Sequence, residues 1–350
     1  MGSQIHLTPP GPPPQEPNGA ADVLAQHSGI VPGKGLRGAY RRLTRSAAYQ
    51  CRRPAKCRRL TALSGYPARV TAARSDGKLT VALISEVFWE ADGAARLQDR
   101  LAEAAERGAD VALLPEIPLN PWRPSTKVAL DEDAEVEGGS RTQAMAAAAR
   151  GAGIGVVGGI INRDPASGRR TSRALVFDSA GEIVARYEKL HLPEEPGFWE
   201  TSHYEPGTEP PHRIEAFGMP VGVQICSDNN RPEGSHLLGA EGAEVILIPR
   251  ATEERTYQRW KIVFRANALT SCAYVLSVTR PSPEDGVLIG GPSIAVDPNG
   301  GVLLETTDAI GIVALDSAVI RKARVDYPGY LPVRARLYAD AWREIAGRDG

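Results

Sequence analysis

A cysteine in the stretch MPVGVQICSDNNRPEG, Cys226, is the side chain of this sequence best placed to act as a nucleophile. An alternating apolar run leads up to it and predicts a strand, and Pro232 with Glu233 opens a predicted helix a few residues later. A thiol at the carboxyl end of a strand lies where ligands bind in open α/β sheets, and the positive end of a helix dipole favours a thiolate. A packed core cysteine gives the same pattern, so Cys226 alone does not establish catalysis.

Two other apolar runs end in a side chain that could assist a thiol. Glu116 follows VALLP, and Lys189 follows IVARYE. Each alone is more typical of a helix cap or of a chain that leaves a sheet. Together with Cys226 they form a complete chemical set, because a carboxylate can take the thiol proton and an ammonium can stabilise the charge on an attacked oxygen. A thiol with a pKa of about 8.5 is only slightly ionised at neutral pH, so a base is needed.

Strand and helix patterns alternate from Lys78 onwards and position these three groups. The predicted elements, in chain order, are a strand in LTVALISEVFW, a helix in ADGAARLQDRLAEAAERGA, a strand in DVALLPEIPL, a helix in RTQAMAAAARGAG, a meander of three strands in IGVVGGIIN, RALVFDS and EIVARYEKL, the strand before the cysteine, a helix in PEGSHLLGAEGA, a strand in EVILIPR, a helix in RTYQRWKIVFRANALTS, a strand in AYVLSVTR, a hairpin in SIAVDPNGGVLLE and a strand in GIVALD. This order predicts one α/β domain with a mixed sheet, from about residue 78 to 340. The prolines of YPGYLPVRARLY argue against a long helix in the tail.

The composition is that of an ordinary soluble protein. Of 350 residues, 42% are hydrophobic and 24% are charged, and no apolar run is long enough to span a bilayer. The first thirty residues lack the apolar segment of a secretory signal. The cysteines, Cys51, Cys57, Cys226 and Cys272, are too few and too unevenly spaced for a disulfide framework, which is typical of a reducing compartment. We therefore expect a cytoplasmic protein with no membrane partner.

Residues 1–76 differ in composition from the remainder. They open with TPPGPPPQEPNG, and residues 1–75 contain twelve Lys and Arg against two acids. We predict a disordered, basic, Pro- and Arg-rich extension here, followed by a catalytic domain with a C-terminal tail at residues 77–350. An organellar targeting segment and a start codon assigned too far upstream remain alternatives. A basic disordered tail needs no nucleic acid, and we do not expect nucleic acid as a partner.

Several separated motifs in a fixed order give the sequence a resemblance to a known family. Glu116 in LLPEIPL, Lys189 in YEKLHLP and Cys226 in GVQICSDNNRPE are accompanied by the RANAL helix and the GPSIAVDPNG hairpin. From about Leu79 to Tyr338 the chain resembles the carbon-nitrogen hydrolase, or nitrilase, superfamily. The resemblance implies a four-layer α-β-β-α sandwich that pairs with a second subunit, as a homodimer or a higher homo-oligomer.

The resemblance also implies a role for individual residues. Cys226 would attack the carbon of an amide, carbamoyl or nitrile group and form a thioester. Glu116 would take the thiol proton and later activate water, while Lys189 would stabilise the oxyanion together with the backbone N–H of Ser227. A second glutamate of the family is best matched by Glu200, in PGFWETSHYEPG, which would orient the lysine or the substrate nitrogen.

The residues after the nucleophile bear on the substrate. Asp228 stands where nitrilases usually have a glutamate, which favours an amide or N-carbamoyl substrate over a nitrile. Carbamoyl D-amino acid hydrolases have arginines where Asn229 and Asn230 stand here, so those readers of a carboxylate are missing. Arg250, at the end of LIPR, is predicted to face the pocket mouth, where it would clamp a substrate carboxylate or pair with a glutamate of the following ATEE segment.

The expected protein is thus a cysteine-dependent hydrolase of a small amide or N-carbamoyl compound that uses no cofactor and no metal. The expected site comprises the catalytic residues Glu116, Lys189, Glu200 and Cys226 and the substrate-binding residues Ser227, Asp228, Asn229 and Arg250. A nitrilase is the alternative within the family. A non-catalytic binding protein that retains the fold is the alternative outside catalysis.

Overall fold

The computed structural model describes residues 77–348, and the predicted extension of residues 1–76 lies outside them. The strands are β1 (Lys78–Ile84), β2 (Val111–Leu113), β3 (Gly155–Arg163), β4 (Arg170–Phe177), β5 (Ile183–Glu188), β6 (Glu194–Glu195), β7 (Phe198–Trp199), β8 (Ile214–Ala216), β9 (Met219–Val223), β10 (Val245–Arg250), β11 (Tyr274–Thr279), β12 (Ser293–Val296), β13 (Val302–Thr306) and β14 (Ile310–Asp316). The α-helices are α1 (Gly93–Glu106), α2 (Ser140–Ala152), α3 (Pro232–Glu241), α4 (Tyr257–Ser271), α5 (Ser317–Val325) and α6 (Ala335–Ala346).

The longer strands form two six-stranded sheets. The order is β14-β1-β2-β3-β4-β5 in the first sheet and β13-β12-β11-β10-β9-β8 in the second. Both sheets are mixed, because β1, β2 and β3 are parallel neighbours in the first and β9, β10 and β11 in the second, with antiparallel strands on either side. The antiparallel order β3-β4-β5 confirms the predicted meander. Within each sheet the carboxyl ends of the neighbouring parallel strands lie on the same side; Glu116 follows β2 of the first sheet and Cys226 follows β9 of the second.

The period-two alternation of each strand divides its side chains between two cores. In β1, Val81 and Leu83 join the core between the two sheets, whereas Ala82 and Ile84 pack against α1 and α2. The outer face of the second sheet packs in the same way against α3 and α4. The layers are therefore helix, sheet, sheet and helix, and the predicted α-β-β-α sandwich is confirmed.

The C-terminal segment departs from the prediction. The twelve-residue helix α6 begins at Ala335, so the expectation that prolines exclude a long helix was wrong. Pro328 and Pro332 both precede its first turn, where a proline costs no helical hydrogen bond. All residues of α6 are exposed, including Leu337 and Trp342. Among residues 77–348, no helix has both the length and the apolar composition needed to cross a bilayer.

Candidate active site

Cys226 lies just beyond β9, at the first position of the short 3-10 helix Cys226–Asn230. Its φ angle of 47° is in the left-handed region, which is uncommon for a residue other than glycine. The thiol donates a hydrogen bond to the carbonyl oxygen of Ala251, at the end of the neighbouring strand β10, with a sulfur–oxygen distance of 3.3 Å. Strained backbone of this kind is frequent at functional sites, where the surrounding fold holds it in place.

A buried ion-pair cluster joins the other three predicted catalytic residues. The Lys189 Nζ donates to Glu116 Oε1 at 2.8 Å and to the two carboxylate oxygens of Glu200 at 2.7 Å and 2.6 Å. Lys189 and Glu200 are completely buried, and Glu116 is 2% exposed. Glu116 Oε2 has no hydrogen-bond partner within the part of the chain that the structure describes. That oxygen is therefore available to accept a proton.

Burial and neighbouring charges shift the pKa values of this cluster. Burial disfavours the ammonium of Lys189, but Glu116 and Glu200 outweigh it and hold the Lys189 pKa well above its usual value. Burial raises the pKa of Glu200 to about 8; the attraction of Lys189 opposes this shift and the charge of Glu116 adds to it. Burial, followed by the charge of Glu116, raises the pKa of the Cys226 thiol. The resting cysteine is thus a neutral thiol that must transfer its proton before it attacks.

A pocket of about 320 Å³ leads from the surface to the thiol. Its lining residues are Pro193, Glu195, Phe198, Cys226, Ser227, Asn230, Ala251, Thr252, Glu253, Thr256, Arg259, Trp260 and Val263. Of the four predicted catalytic residues, Cys226 alone is in this lining, and the other three are buried. A small molecule bound in the pocket would therefore contact the sulfur of Cys226.

Asp228 is buried and makes structural hydrogen bonds, contrary to the expected contact with substrate. Its Oδ1 accepts from the backbone N–H groups of Leu190 at 3.1 Å and His191 at 2.9 Å. Its Oδ2 accepts from the Tyr187 hydroxyl at 2.8 Å and from the Ile225 N–H at 3.2 Å. The carboxylate thereby connects the turn at Cys226 to the segment that carries Lys189.

Two further expectations concern the residues on either side of Asp228. Asn229 is buried and accepts hydrogen bonds from Asn267 Nδ2 of α4, at 2.8 Å through its backbone oxygen and 2.9 Å through its side chain. It does not line the pocket, whereas Asn230 does, so the expected substrate contact of Asn229 is not what the structure shows. Ser227 lines the pocket, and its hydroxyl donates to the backbone oxygen of His191.

Arg250 is fully buried, so the prediction that it faces the pocket mouth was wrong. Its Nε donates to the Ser277 hydroxyl at 3.0 Å, and its two terminal nitrogens donate to the Thr252 hydroxyl and the Pro292 carbonyl. No carboxylate within residues 77–348 pairs with it, and Glu253 instead pairs with an exposed arginine at 2.7 Å. The side chain faces inwards because β11 and the segment before β12 lie beside the end of β10. A single sequence does not reveal these neighbours.

Arg280 also belongs to the site and is absent from the residues predicted above. Its guanidinium is fully buried and donates to the backbone oxygens of Glu116 at 2.9 Å, Ile117 at 2.8 Å and Asn120 at 2.8 Å. It also pairs with Glu284 at 2.6 Å, which balances its charge. A signal for it existed, since Arg280 ends the apolar run of β11 just as Arg250 ends that of β10.

The sequence profile of the family described as carbon-nitrogen hydrolase matches residues 80–325, which contain the whole cluster and the nucleophile. The chain belongs to the carbon-nitrogen hydrolase family. It is 28% identical to the human omega-amidase NIT2 over 263 residues, which are 71% of this chain and 92% of that protein. It is 27% identical to a nitrilase of Pyrococcus abyssi over 230 residues, which are 65% of this chain and 84% of that protein.

Solved structures of this family share the fold. A carbon-nitrogen hydrolase from Helicobacter pylori superposes with a TM-score of 0.68 at 19% identity, covering 76% of this chain and 98% of that one. The amidase from Nesterenkonia sp. AN1 superposes with a TM-score of 0.62 at 22% identity, covering 77% of this chain and 99% of that one. The recognised resemblance and the predicted architecture are both confirmed by these matches.

Proposed function

We propose that this family member is a cysteine-dependent amidase that hydrolyses the C–N bond of a small amide or N-carbamoyl compound through a thioester on Cys226. Two observations together carry the proposal: a thiol lines the pocket, and a buried lysine donates hydrogen bonds to two glutamate side chains. The relatives named omega-amidase and amidase support an amide as substrate.

The first half of the reaction makes the thioester. The Cys226 thiol transfers its proton to the unpaired Oε2 of Glu116 as the sulfur attacks the carbonyl carbon. The negative charge that develops on the carbonyl oxygen is stabilised by the Lys189 ammonium and by the backbone N–H of Ser227. Collapse of this intermediate breaks the C–N bond, and the proton held by Glu116 goes to the departing nitrogen, so that ammonia or an amine leaves.

The second half returns the enzyme to its resting state. Glu116, again ionised, takes a proton from a water molecule that attacks the thioester carbon. The resulting intermediate expels the Cys226 thiolate, which regains the proton from Glu116, and the acid product is released. Glu200 holds the lysine in place throughout, since both of its oxygens accept from Nζ.

A panel of primary amides and N-carbamoyl compounds, assayed by ammonia release, tests this proposal. We expect the purified protein to release ammonia from members of the panel. Because the thiol forms the bond to substrate, Cys226→Ala should lower kcat by at least about 10⁴-fold with an unchanged thermal unfolding midpoint. A folded Cys226→Ala variant that retains the wild-type rate would refute the assignment, and a wild-type protein inactive across the panel would refute the substrate class.

A nitrilase is the second candidate, because one relative bears that name. A nitrilase converts a nitrile to its acid faster than it hydrolyses the corresponding amide. Paired nitriles and amides of equal chain length distinguish the two functions. We expect the amide to be the faster substrate of each pair.

We also propose a cytoplasmic homo-oligomer. The thiols of Cys226 and Cys272 are both free, which suits a reducing compartment. The C-terminal segment exposes large apolar side chains, among them Tyr327, Leu337 and Trp342, each more than half exposed in the single chain. Contiguous exposed apolar surface is typical of protein–protein contacts.

A further inference from the structure

The fully buried guanidinium of Arg250 has no part in the reaction described above. Its three hydrogen-bond acceptors, the Ser277 and Thr252 hydroxyls and the Pro292 carbonyl, are all neutral. The ring centroids of Tyr257 and Phe264 lie 5.8 Å and 5.6 Å from it, but no carboxylate within residues 77–348 pairs with this buried cation. Arg280, by contrast, has the carboxylate of Glu284 as its partner.

Arg250 and the two residues after it contact each part of the reaction site. The backbone oxygen of Arg250 accepts a long hydrogen bond from the N–H of Glu116, at 3.5 Å. The next carbonyl, that of Ala251, accepts from the Cys226 thiol at 3.3 Å. Thr252, which accepts from the Arg250 guanidinium, lines the substrate pocket. Residues 250–252 therefore contact Glu116, Cys226 and the pocket. The guanidinium holds this segment through its hydrogen bond to the Thr252 hydroxyl.

The Arg250 guanidinium and the Cys226 thiol bind to neighbouring residues, since the guanidinium donates to the Thr252 hydroxyl and the thiol donates to the Ala251 carbonyl. Burial lowers the pKa of Arg250 to about 10, so the side chain stays charged at neutral pH, and the nearby Cys226 is the group that most favours its charged form. In the ion-pair cluster, Lys189 donates to both Glu116 and Glu200. When the thiol proton moves to Glu116, negative charge moves onto the sulfur, and a second buried cation stabilises it.

We propose that Arg250 is a positioning residue, whose guanidinium holds residues 250–252 against Cys226 and stabilises the thiolate electrostatically. The inference rests on the proposed function for its kinetic consequences. Its effect on the thiol can be measured without any substrate.

The test compares Arg250→Met, Arg250→Lys and the control Arg321→Met, which removes an exposed arginine of α5. One readout is the pH dependence of iodoacetamide alkylation at Cys226, followed by peptide mass mapping; the others are kcat and KM for an amide. For Arg250→Met we expect the alkylation midpoint to rise by about one pH unit, and the rate at neutral pH to fall about tenfold. We also expect kcat to fall about 10²-fold with KM within about threefold, because misplaced reacting groups affect the chemical step more than binding.

The lysine variant separates charge from geometry. Arg250→Lys keeps the charge but cannot reach three acceptors at once, so it should restore the alkylation midpoint and only part of kcat. A purely structural role predicts a lower unfolding midpoint in both variants, with alkylation and kcat equal to those of Arg321→Met, and that result would overturn the proposal.

If Arg250→Met does not fold, Ser277→Ala decides the question, since it removes the acceptor of Nε and leaves the arginine in place. Slower alkylation and a several-fold lower kcat support the proposal, whereas wild-type values for both overturn it. A wild-type enzyme that turns over no amide, but whose alkylation midpoint rises in Arg250→Met, would separate failure of the proposed substrate from failure of this inference.

Discussion

Proton placement among the buried groups beside Cys226 determines how the reaction can begin. Lys189 donates to Glu116 and Glu200 at 2.6–2.8 Å. Burial opposes its charge, but the charge of Glu116 is the main cause that holds the Lys189 pKa well above its usual value, so it stays an ammonium and is suited to stabilise negative charge rather than to act as a base. Both oxygens of Glu200 are taken up by this lysine, whereas one oxygen of Glu116 is not. We therefore propose Glu116 as the general base and Glu200 as the residue that holds the lysine.

The raised pKa of Glu200 makes the stability of the fold depend on pH. Its pKa is about 8 in the folded chain and about 4.3 when unfolded, so between these values the folded state binds more protons. The free energy of unfolding should therefore fall as pH rises through this window, by at most about 1.4 kcal/mol per pH unit. Urea unfolding at several pH values between about 5 and 8, inside this window, measures the slope of the free energy of unfolding against pH.

The matched variants for this prediction are Glu200→Gln and the exposed Glu209→Gln. Glu200→Gln removes the titrating group and should flatten the pH dependence, while Glu209→Gln should leave it as in the wild type. A slope that persists in Glu200→Gln would assign the titration to another group.

Asp228 offers a second test at the scale of single residues, because positioning and substrate binding predict different kinetics. An amide nitrogen cannot accept hydrogen bonds, so Asp228→Asn leaves the donors at one of its two positions unsatisfied. We expect a loss of about 1.5–3 kcal/mol in the free energy of unfolding and a lower kcat, with little change in KM. Urea unfolding and steady-state kinetics measure both. A raised KM at unchanged stability would instead indicate direct contact with substrate.

In the second half of the fold, helix α4 helps to hold the short helix that begins at Cys226. Asn267 of α4 donates to Asn229, which lies in the short helix that starts at Cys226. The position of α4 depends in turn on close packing against α3. At Gly239 an added Cβ would lie 2.5 Å from the backbone oxygen of Ser271, so the two helices approach closely only because this residue is glycine.

Substitution of that glycine should loosen the helix pair. We expect Gly239→Ala to lower the free energy of unfolding by about 1–3 kcal/mol, since the backbone must shift to admit the methyl group. The control is Gly151→Ala in α2, where nothing lies within 4 Å of the added Cβ, and there alanine should stabilise by up to about 1 kcal/mol. Equal unfolding midpoints for the two variants in thermal melts would contradict the close approach.

Most elements could be predicted because their hydrophobic period is clear, and Glu116, Lys189 and Cys226 because each follows such a run, whereas Glu200 was predicted only from the family resemblance. β6, β7 and β8 are too short to show a period and were not predicted. The orientations of Asp228 and Arg250 depend on neighbours far away along the chain, such as Tyr187 and Ser277. A sequence shows that a polar group follows a strand, but not which packed element it will face.

At the scale of the whole molecule, the exposed apolar face of α6 is the feature that the single chain does not account for. Leu337, Tyr338 and Trp342 are 65%, 63% and 53% exposed, although α6 is an amphipathic helix that would normally bury one face. This exposure supports the proposal that a second copy of the chain covers the helix. The family match ends before α6, at residue 325.

Assembly through α6 predicts a change of mass on substitution. We expect the wild type to sediment as a dimer or larger species, and Leu337→Glu with Trp342→Glu to shift it towards the monomer, because two buried charges would disfavour the contact. Val128→Glu, at a similarly exposed apolar position, should leave the mass unchanged. Analytical ultracentrifugation measures all three, and a wild-type monomer at micromolar concentration would refute the proposal.

In the proposed mechanism, Cys226 carries the acyl group of the substrate between the two halves of the reaction. Rapid acid quench of the enzyme during turnover of an amide, followed by peptide mass mapping, tests it most directly. We expect an acyl mass on the peptide that contains Cys226, none on the peptide that contains Cys272, and neither adduct nor turnover in Cys226→Ala. Sustained turnover by a folded Cys226→Ala variant, or an acyl group found on another side chain, would contradict it.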